Sequence, residues 1–147
     1  MEISRLGPGD EDRVAAAADL FDDPPRPDAT AIFLAAEGHH LLIATVDGTP
    51  AGFVTGVEMT HPDKGTEMFI YELGVDDKFL RRGIAKALLA ELKGIAIERG
   101  CYGMWVITEP ENDAALATYR SIDGVDEGSV TFTMVLNDDP TNPSTAN

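Results

Sequence analysis

The apolar positions change period several times along the chain, and each change marks an element. Residues 2–6 read as a short first strand. Gly7-Pro8-Gly9 breaks it, and Asp10 stands where it can cap a helix with Val14, Ala17, Ala18 and Phe21 on its apolar face. Asp22-Asp23-Pro24-Pro25 ends that helix, because paired prolines remove N–H donors and clash with the preceding turn. Asp28 is then placed to cap a second helix carrying Ile32, Phe33 and Leu34.

Residues 41–46 and 52–59 are apolar runs joined through Asp47-Gly48, a pair that favours positive φ and so a hairpin. Residues 60–66, with Pro62 and Gly65, read as a loop, and 68–75 resume a strand. From 82 to 99, Ile84, Leu88, Leu92 and Ile95 recur at helical spacing, and Gly100 supplies the stop. A strand of the buried type at 103–108, a shorter helix at 113–122 and a partly alternating strand at 130–136 follow. The expected architecture is one α/β domain over 1–136, a mixed sheet with helices packed on it, and a polar tail at 137–147.

Composition narrows the function. A single cysteine, Cys101, rules out an internal disulfide and a Cys-rich metal site, and reads as a small buried apolar residue. Trp105 reads as a core aromatic. His39, His40 and His61 lack metal-ligand spacing and read as surface or strand-start residues, so no metal is expected. No run approaches the about 18 apolar residues of a membrane span, and the N-terminus lacks a signal-peptide pattern, so a cytoplasmic location is expected. The 26 acidic and 11 basic residues give a net charge of −15, which repels nucleic acid and anionic membranes alike. Such a field attracts cationic ligands, and it equally serves solubility.

Against that background, Leu80-Arg81-Arg82-Gly83-Ile84-Ala85 stands out. It precedes the long helix, whose unpaired N–H groups favour an anion, and Gly83 lets a ligand approach closely. The same six residues also suit a solvated basic loop before a helix with a small-residue packing face. No G-x-G-x-x-G or phosphate-loop motif offers a nucleotide alternative.

The run Phe69-Ile70-Tyr71-Glu72-Leu73-Gly74-Val75, a short acidic loop and then Arg81-Arg82-Gly83-Ile84-Ala85-x-x-Leu88-Leu89 resemble the acetyl-CoA-binding core of the GNAT superfamily of N-acetyltransferases. Asn112, Ala115 and Tyr119 match that superfamily's N-x-x-A-x-x-x-Y block, and the resemblance covers about 68–124. Within it, residues 70–75, Asp19-Leu20-Phe21 and the tail Pro143-Ser144-Thr145-Ala146 look like the gentamicin-type aminoglycoside 3-N-acetyltransferases. Three departures stand out: Leu80 where Gln or Arg is usual, Glu72 where those aminoglycoside enzymes tend to have Asp, and Asp123-Gly124 where a single Gly is commoner.

The resemblance implies a GNAT fold with strands four and five splayed apart and acetyl-CoA as co-substrate. It places CoA contacts on Leu73, Gly74, Val75, Leu80, Arg81, Arg82, Gly83, Ile84, Ala85 and Lys86, with Asn112, Ala115 and Tyr119 beyond. It implies N–H donors at Leu73, Gly74 and Val75 for the oxyanion, with a bulge at Gly74. Glu72 is the candidate base, or else a strand-edge acid pairing with a cation, and Glu109 shares or replaces it. Tyr119 either protonates the leaving thiolate or is a packed aromatic, while Asn112 caps its helix or bonds the pantetheine arm. Acceptor contacts are sought among Asp22, Asp23, Glu72, Glu109 and Asp139, with Glu58 and Glu111 as further acids. A small polycationic amine is the expected acceptor, an aminoglycoside first, a polyamine or other small amine next, and a protein N-terminus or lysine third. A homodimer is the partner the resemblance implies. The rival class is a CoA-binding module without turnover.

Overall fold

A computed structural model of the chain describes residues 1–136. The elements are β1 (Glu2–Leu6), α1 (Glu11–Ala16), α2 (Pro27–Ala35), β2 (His39–Val46), β3 (Thr49–His61), β4 (Gly65–Val75), α3 (Ile84–Glu98), β5 (Met104–Val106) and α4 (Asp113–Arg120). The strands form one sheet in sequence order, antiparallel from β1 to β4 and parallel between β4 and β5. This is the expected α/β fold with a mixed sheet.

Two cores sandwich the sheet. On one face, Ile84, Leu88, Leu89, Leu92 and Ala96 of α3 pack on Leu42, Ala44, Val54, Met68 and Ile70. On the other, Val14, Ala17 and Leu34 from the α1–α2 segment cover Leu41, Ile43 and Phe53. Strand residues alternate between the two, because successive side chains leave a strand on opposite faces. At Asp47-Gly48 both φ angles are positive, 51° and 78°, which suits the expected tight hairpin between β2 and β3.

Several boundaries differ from expectation. The first helix ends at Ala16 and passes into a 3-10 turn, Ala18–Leu20, leaving Phe21 just beyond it. Asp10 is the N-cap residue, but its carboxylate accepts the Gly7 N–H (2.9 Å) and not one from the helix. Arg26, not Asp28, caps α2, because Pro27 has the φ that the first helical position needs and starts the helix earlier. The expected loop at 60–66 shrinks to 62–64, since β3 runs through His61 and β4 begins at Gly65, which confines Pro62 to the turn. Residues 130–136 are exposed and form no strand; an alternating pattern needs a partner edge, and β5 is the last strand among the described residues. Trp105 is not in the core: it is about one third exposed and stacks on Phe69 at 4.4 Å between centroids.

His40 is fully buried, not a surface residue. Arg5 donates to its Nδ1 (2.8 Å), so Nε2 carries the proton and donates to Glu58 (2.8 Å), which Arg99 grips at 2.6 and 3.2 Å. This chain ties β1, β2 and β3 to the end of α3. It also engages Glu58 in structure, which removes it from the acids expected to meet an acceptor.

Candidate active site

The turn into α3 has the geometry of an anion cradle. Arg81 and Gly83 both have positive φ, 59° and 77°, and Gly83 is the N-cap with no side-chain hydrogen bond to the helix. The first N–H groups of α3 therefore receive no side-chain cap from the residue at its head. A Cβ at Gly83 would meet nothing within 4 Å, so glycine is needed there for its backbone conformation and not for want of space. Leu80, Arg81, Arg82 and Lys86 are exposed around this turn, and Arg82 lies over the Phe79 ring at 5.3 Å. Cradle, charge and exposure suit a pyrophosphate.

Beside that turn the sheet opens. The β4–β5 ladder holds only Met68, Phe69 and Ile70 against Met104, Trp105 and Val106, whereas β4 continues to Val75. The Glu72 N–H donates to Thr55 Oγ1 (3.1 Å) and the Asp76 N–H to the Ala51 carbonyl (3.0 Å), both towards β3. Alternation then turns the Leu73 and Val75 N–H groups towards the open edge and the Gly74 N–H towards β3.

The bulge lies at Tyr71, not Gly74. Thr55 faces Glu72 while its neighbour Gly56 faces Ile70, so Tyr71 is an extra residue in β4. Met68 and Ile70 point beneath α3, and strict alternation would send Glu72 there too. The inserted residue flips the parity. Leu73 and Val75 now pack beneath α3, and Glu72 emerges on the α1–α2 side. Gly74 serves close packing: a Cβ there would lie 2.7 Å from the Phe53 ring and 3.0 Å from the Leu20 carbonyl oxygen.

Glu72 lines a cavity of about 370 Å³ between the α1–α2 segment and β2–β4. Burial pushes its carboxyl above the ordinary range, the charges of Asp22 and Asp23 push it the same way, and the Asp22 N–H (3.4 Å) opposes them. Asp22 and Asp23 thus stand near enough to Glu72 for their charges to act on it. Glu109 and Glu111 do not join them; both are exposed between β5 and α4 and do not line the cavity. Asp139 and the tail lie outside the described residues.

On α4, Asn112 is the N-cap, its Oδ1 accepting the Ala115 N–H at 3.0 Å. That settles one use of Asn112 as the cap. Tyr119 packs against the core beneath α3, and burial pushes its phenol up, so it keeps its proton. Among the described residues no cluster of His, Cys, Asp or Glu could hold a metal ion, and no helix is long and apolar enough to cross a membrane.

The family model for the GNAT acetyltransferase family matches residues 10–123. The chain belongs to that family. GNAT enzymes use acetyl-CoA, and the residues described above fit it: a helix N-terminus for its phosphates and an open strand edge for its arm. An acetyltransferase of Yersinia pestis is 35% identical over 82 residues, 56% of this chain and 55% of its own, so the chain spans about half the length of that curated relative. The N-alpha-acetyltransferase RimI of Mycobacterium tuberculosis is 36% identical over 123 residues, covering 82% of this chain and 75% of its own. An aminoglycoside acetyltransferase from an uncultured soil metagenomic sample, solved with sisomicin, has a TM-score of 0.85 over 92% of this chain and 96% of its own. At 23% identity that likeness speaks to the fold. A second soil aminoglycoside acetyltransferase reaches 26% identity and a TM-score of 0.81, covering 92% of this chain and 98% of its own.

As a GNAT chain it contains site features that the residue pattern did not reveal. Phe33, His39 and Val57 line the cavity beside Glu72 without any motif to mark them, and Tyr71 joins them from within the Glu72 run with no role assigned to it. The packing of α2 on β2–β4 and the register of β3 against β4 bring them to a common face.

Proposed function

We propose that the chain transfers acetyl from acetyl-CoA directly to an amine, with Glu72 as base and Tyr119 as acid. The observation that carries this reading is the Tyr71 bulge, which aims a carboxyl of raised pKa into a cavity on the strand where the β4–β5 ladder ends. The ammonium gives its proton to the Glu72 carboxylate, directly or through water. The neutral nitrogen attacks the thioester carbon and forms the new C–N bond. Leu73 and Val75 donate N–H groups to the carbonyl oxygen as it takes up negative charge. The C–S bond then breaks, and the departing thiolate takes its proton from the Tyr119 phenol. Leu80 through Lys86 hold the CoA pyrophosphate, and Asn112 and Ala115 fix the start of the helix that carries Tyr119.

Two acceptor readings have separate support. The net charge of −15, the Asp22–Asp23–Glu72 group and the likeness to soil aminoglycoside acetyltransferases support an aminoglycoside, acetylated at the 3-N position in the finest form of the reading. The longer match to RimI supports an α-amine of a peptide. Free-thiol release from acetyl-CoA by the purified chain tests transfer itself. Turnover on any amine that is lost in Glu72→Gln supports the reading; acetyl-CoA binding with no turnover on aminoglycosides, polyamines, small monoamines or peptides overturns it in favour of a binding module.

A further inference from the structure

The walls of the cavity beside Glu72 are apolar. Phe21, Phe33, Leu34, Leu41, Val57 and Tyr71 form most of them. Of the polar groups among them Thr55 and Arg26 have partners, whereas His39 Nδ1 is buried without one among the described residues. Thr55 Oγ1 accepts the Glu72 N–H at 3.1 Å, Arg26 pairs with Asp28 at 3.2 Å, and the His39 ring lies 4.8 Å from that of Phe33. Among the described residues Glu72 is the one carboxylate lining the cavity; Asp22 and Asp23, whose charges act on Glu72, are exposed and not among the lining residues.

This arrangement has one place for a charged nitrogen and a larger space for carbon. A polycation seated here would bring its further ammonium groups largely against aromatic and aliphatic walls, with no second carboxylate among the described lining residues. A monoamine with an apolar body loses nothing comparable, and it gains about fourfold in binding for each methylene it buries.

We propose that the acceptor carries a bulky apolar group one or two bonds from the reacting nitrogen, with the ammonium at Glu72 and the apolar group between α2 and β2–β4. Arylalkylamines share this chemistry with the α-amine of a peptide headed by Phe or Leu. The inference rests on the transfer reading above and decides between its two acceptors. Overall charge draws cations towards the molecule, and the cavity then selects among them by the carbon beside the nitrogen.

The test is kcat/KM with saturating acetyl-CoA for phenethylamine, a Phe-headed tripeptide, ethanolamine, spermidine and sisomicin. Phenethylamine or the tripeptide is expected to exceed ethanolamine by about tenfold or more and to exceed both polycations. The better of the two identifies the source, a free amine or a peptide end. Phe33→Ala and, because Tyr71 is exposed and its loss spares the core, Tyr71→Ser are each expected to lower the phenethylamine-to-ethanolamine ratio severalfold. Sisomicin or spermidine as preferred acceptor, or equal use of ethanolamine and phenethylamine, overturns the proposal while leaving transfer intact. If no amine is acetylated, calorimetric titration of the CoA-bound chain with phenethylamine and ethanolamine still decides: stronger binding of phenethylamine supports the cavity's selectivity, and equal or absent binding overturns it.

Discussion

Glu72 is the residue on which structure and chemistry pull in opposite directions. Burial raises its pKa, so the folded chain favours the protonated acid. The resulting stability is fully present below the ordinary carboxyl value and is lost as pH rises through the folded value. At neutral pH the ionised carboxylate therefore destabilises the fold. Glu72→Gln is expected to keep or raise the melting temperature at pH 7, lose that advantage in acid, and reduce turnover by about 100-fold or more; calorimetric melts and thiol release measure the two effects. With Asp22 and Asp23 both changed to Asn, two upward pushes vanish and the acid limb of kcat/KM moves to lower pH. Tyr119→Phe is expected to cut turnover by about 100-fold or more with acetyl-CoA affinity unchanged, read by thiol release and equilibrium binding. Sequence singled out both Glu72 and Tyr119, one as an acid on the strand before the glycine-headed turn into α3, the other through its spacing to Asn112. Nothing local distinguished Asp22, which meets Glu72, from Glu109, which does not, because convergence of acids is set by non-local pairing.

Among the elements, α3 was the most legible. Its period placed Ile84, Leu88 and Leu92 on one face, and all three are buried. The glycine at its start is tested by Gly83→Ala, which forces a side chain into a left-handed conformation costing about 1–2 kcal/mol and so weakens the cradle. A rise in KM for acetyl-CoA, with the acceptor KM little changed, is the expected result. β4 was legible as a strand but not in its facing. Its bulge exists only relative to β3, so no pattern within 68–75 could report it. Gly74 was assigned to the bulge and instead makes room for Phe53. Phe53 is fully buried and cannot retreat, so Gly74→Ala is expected to destabilise the fold by about 1–3 kcal/mol in urea titrations.

For the whole molecule, the Arg5–His40–Glu58–Arg99 chain links the first strands to the end of α3 and makes the fold sensitive to acid. Burial holds His40 below its ordinary value, so it stays neutral and leaves Nδ1 free to accept from Arg5. Burial pushes the Glu58 carboxyl up, but the hydrogen bonds from Arg99 and His40 outweigh it and hold the group below the ordinary range. Both folded values are depressed, so both contributions are present above the unfolded values, about 6.5 for His and 4.3 for Glu, and are lost as pH falls through the folded ones. Glu58→Ala is expected to lower stability at pH 7 by about 2–3 kcal/mol and to flatten its loss in acid, measured by urea titration across pH.

Sequence alone determined what depends on neighbours along the chain. Helical and strand periods, the Asp47-Gly48 hairpin, the glycine at the head of α3 and the cap at Asn112 are all local, so their physics is written in a few adjacent residues. The acidic balance was equally plain, and it pointed to cationic ligands. Tertiary structure alone decided how those parts face one another. One extra residue in β4, visible only against β3, moved Glu72 from the α3 core to a cavity. The fold likewise engaged Glu58 in a buried pair and left Glu109 outside the cavity. It lined that cavity with aromatic rings drawn from separate elements. These outcomes follow from register and burial, which bring together residues that no local pattern connects.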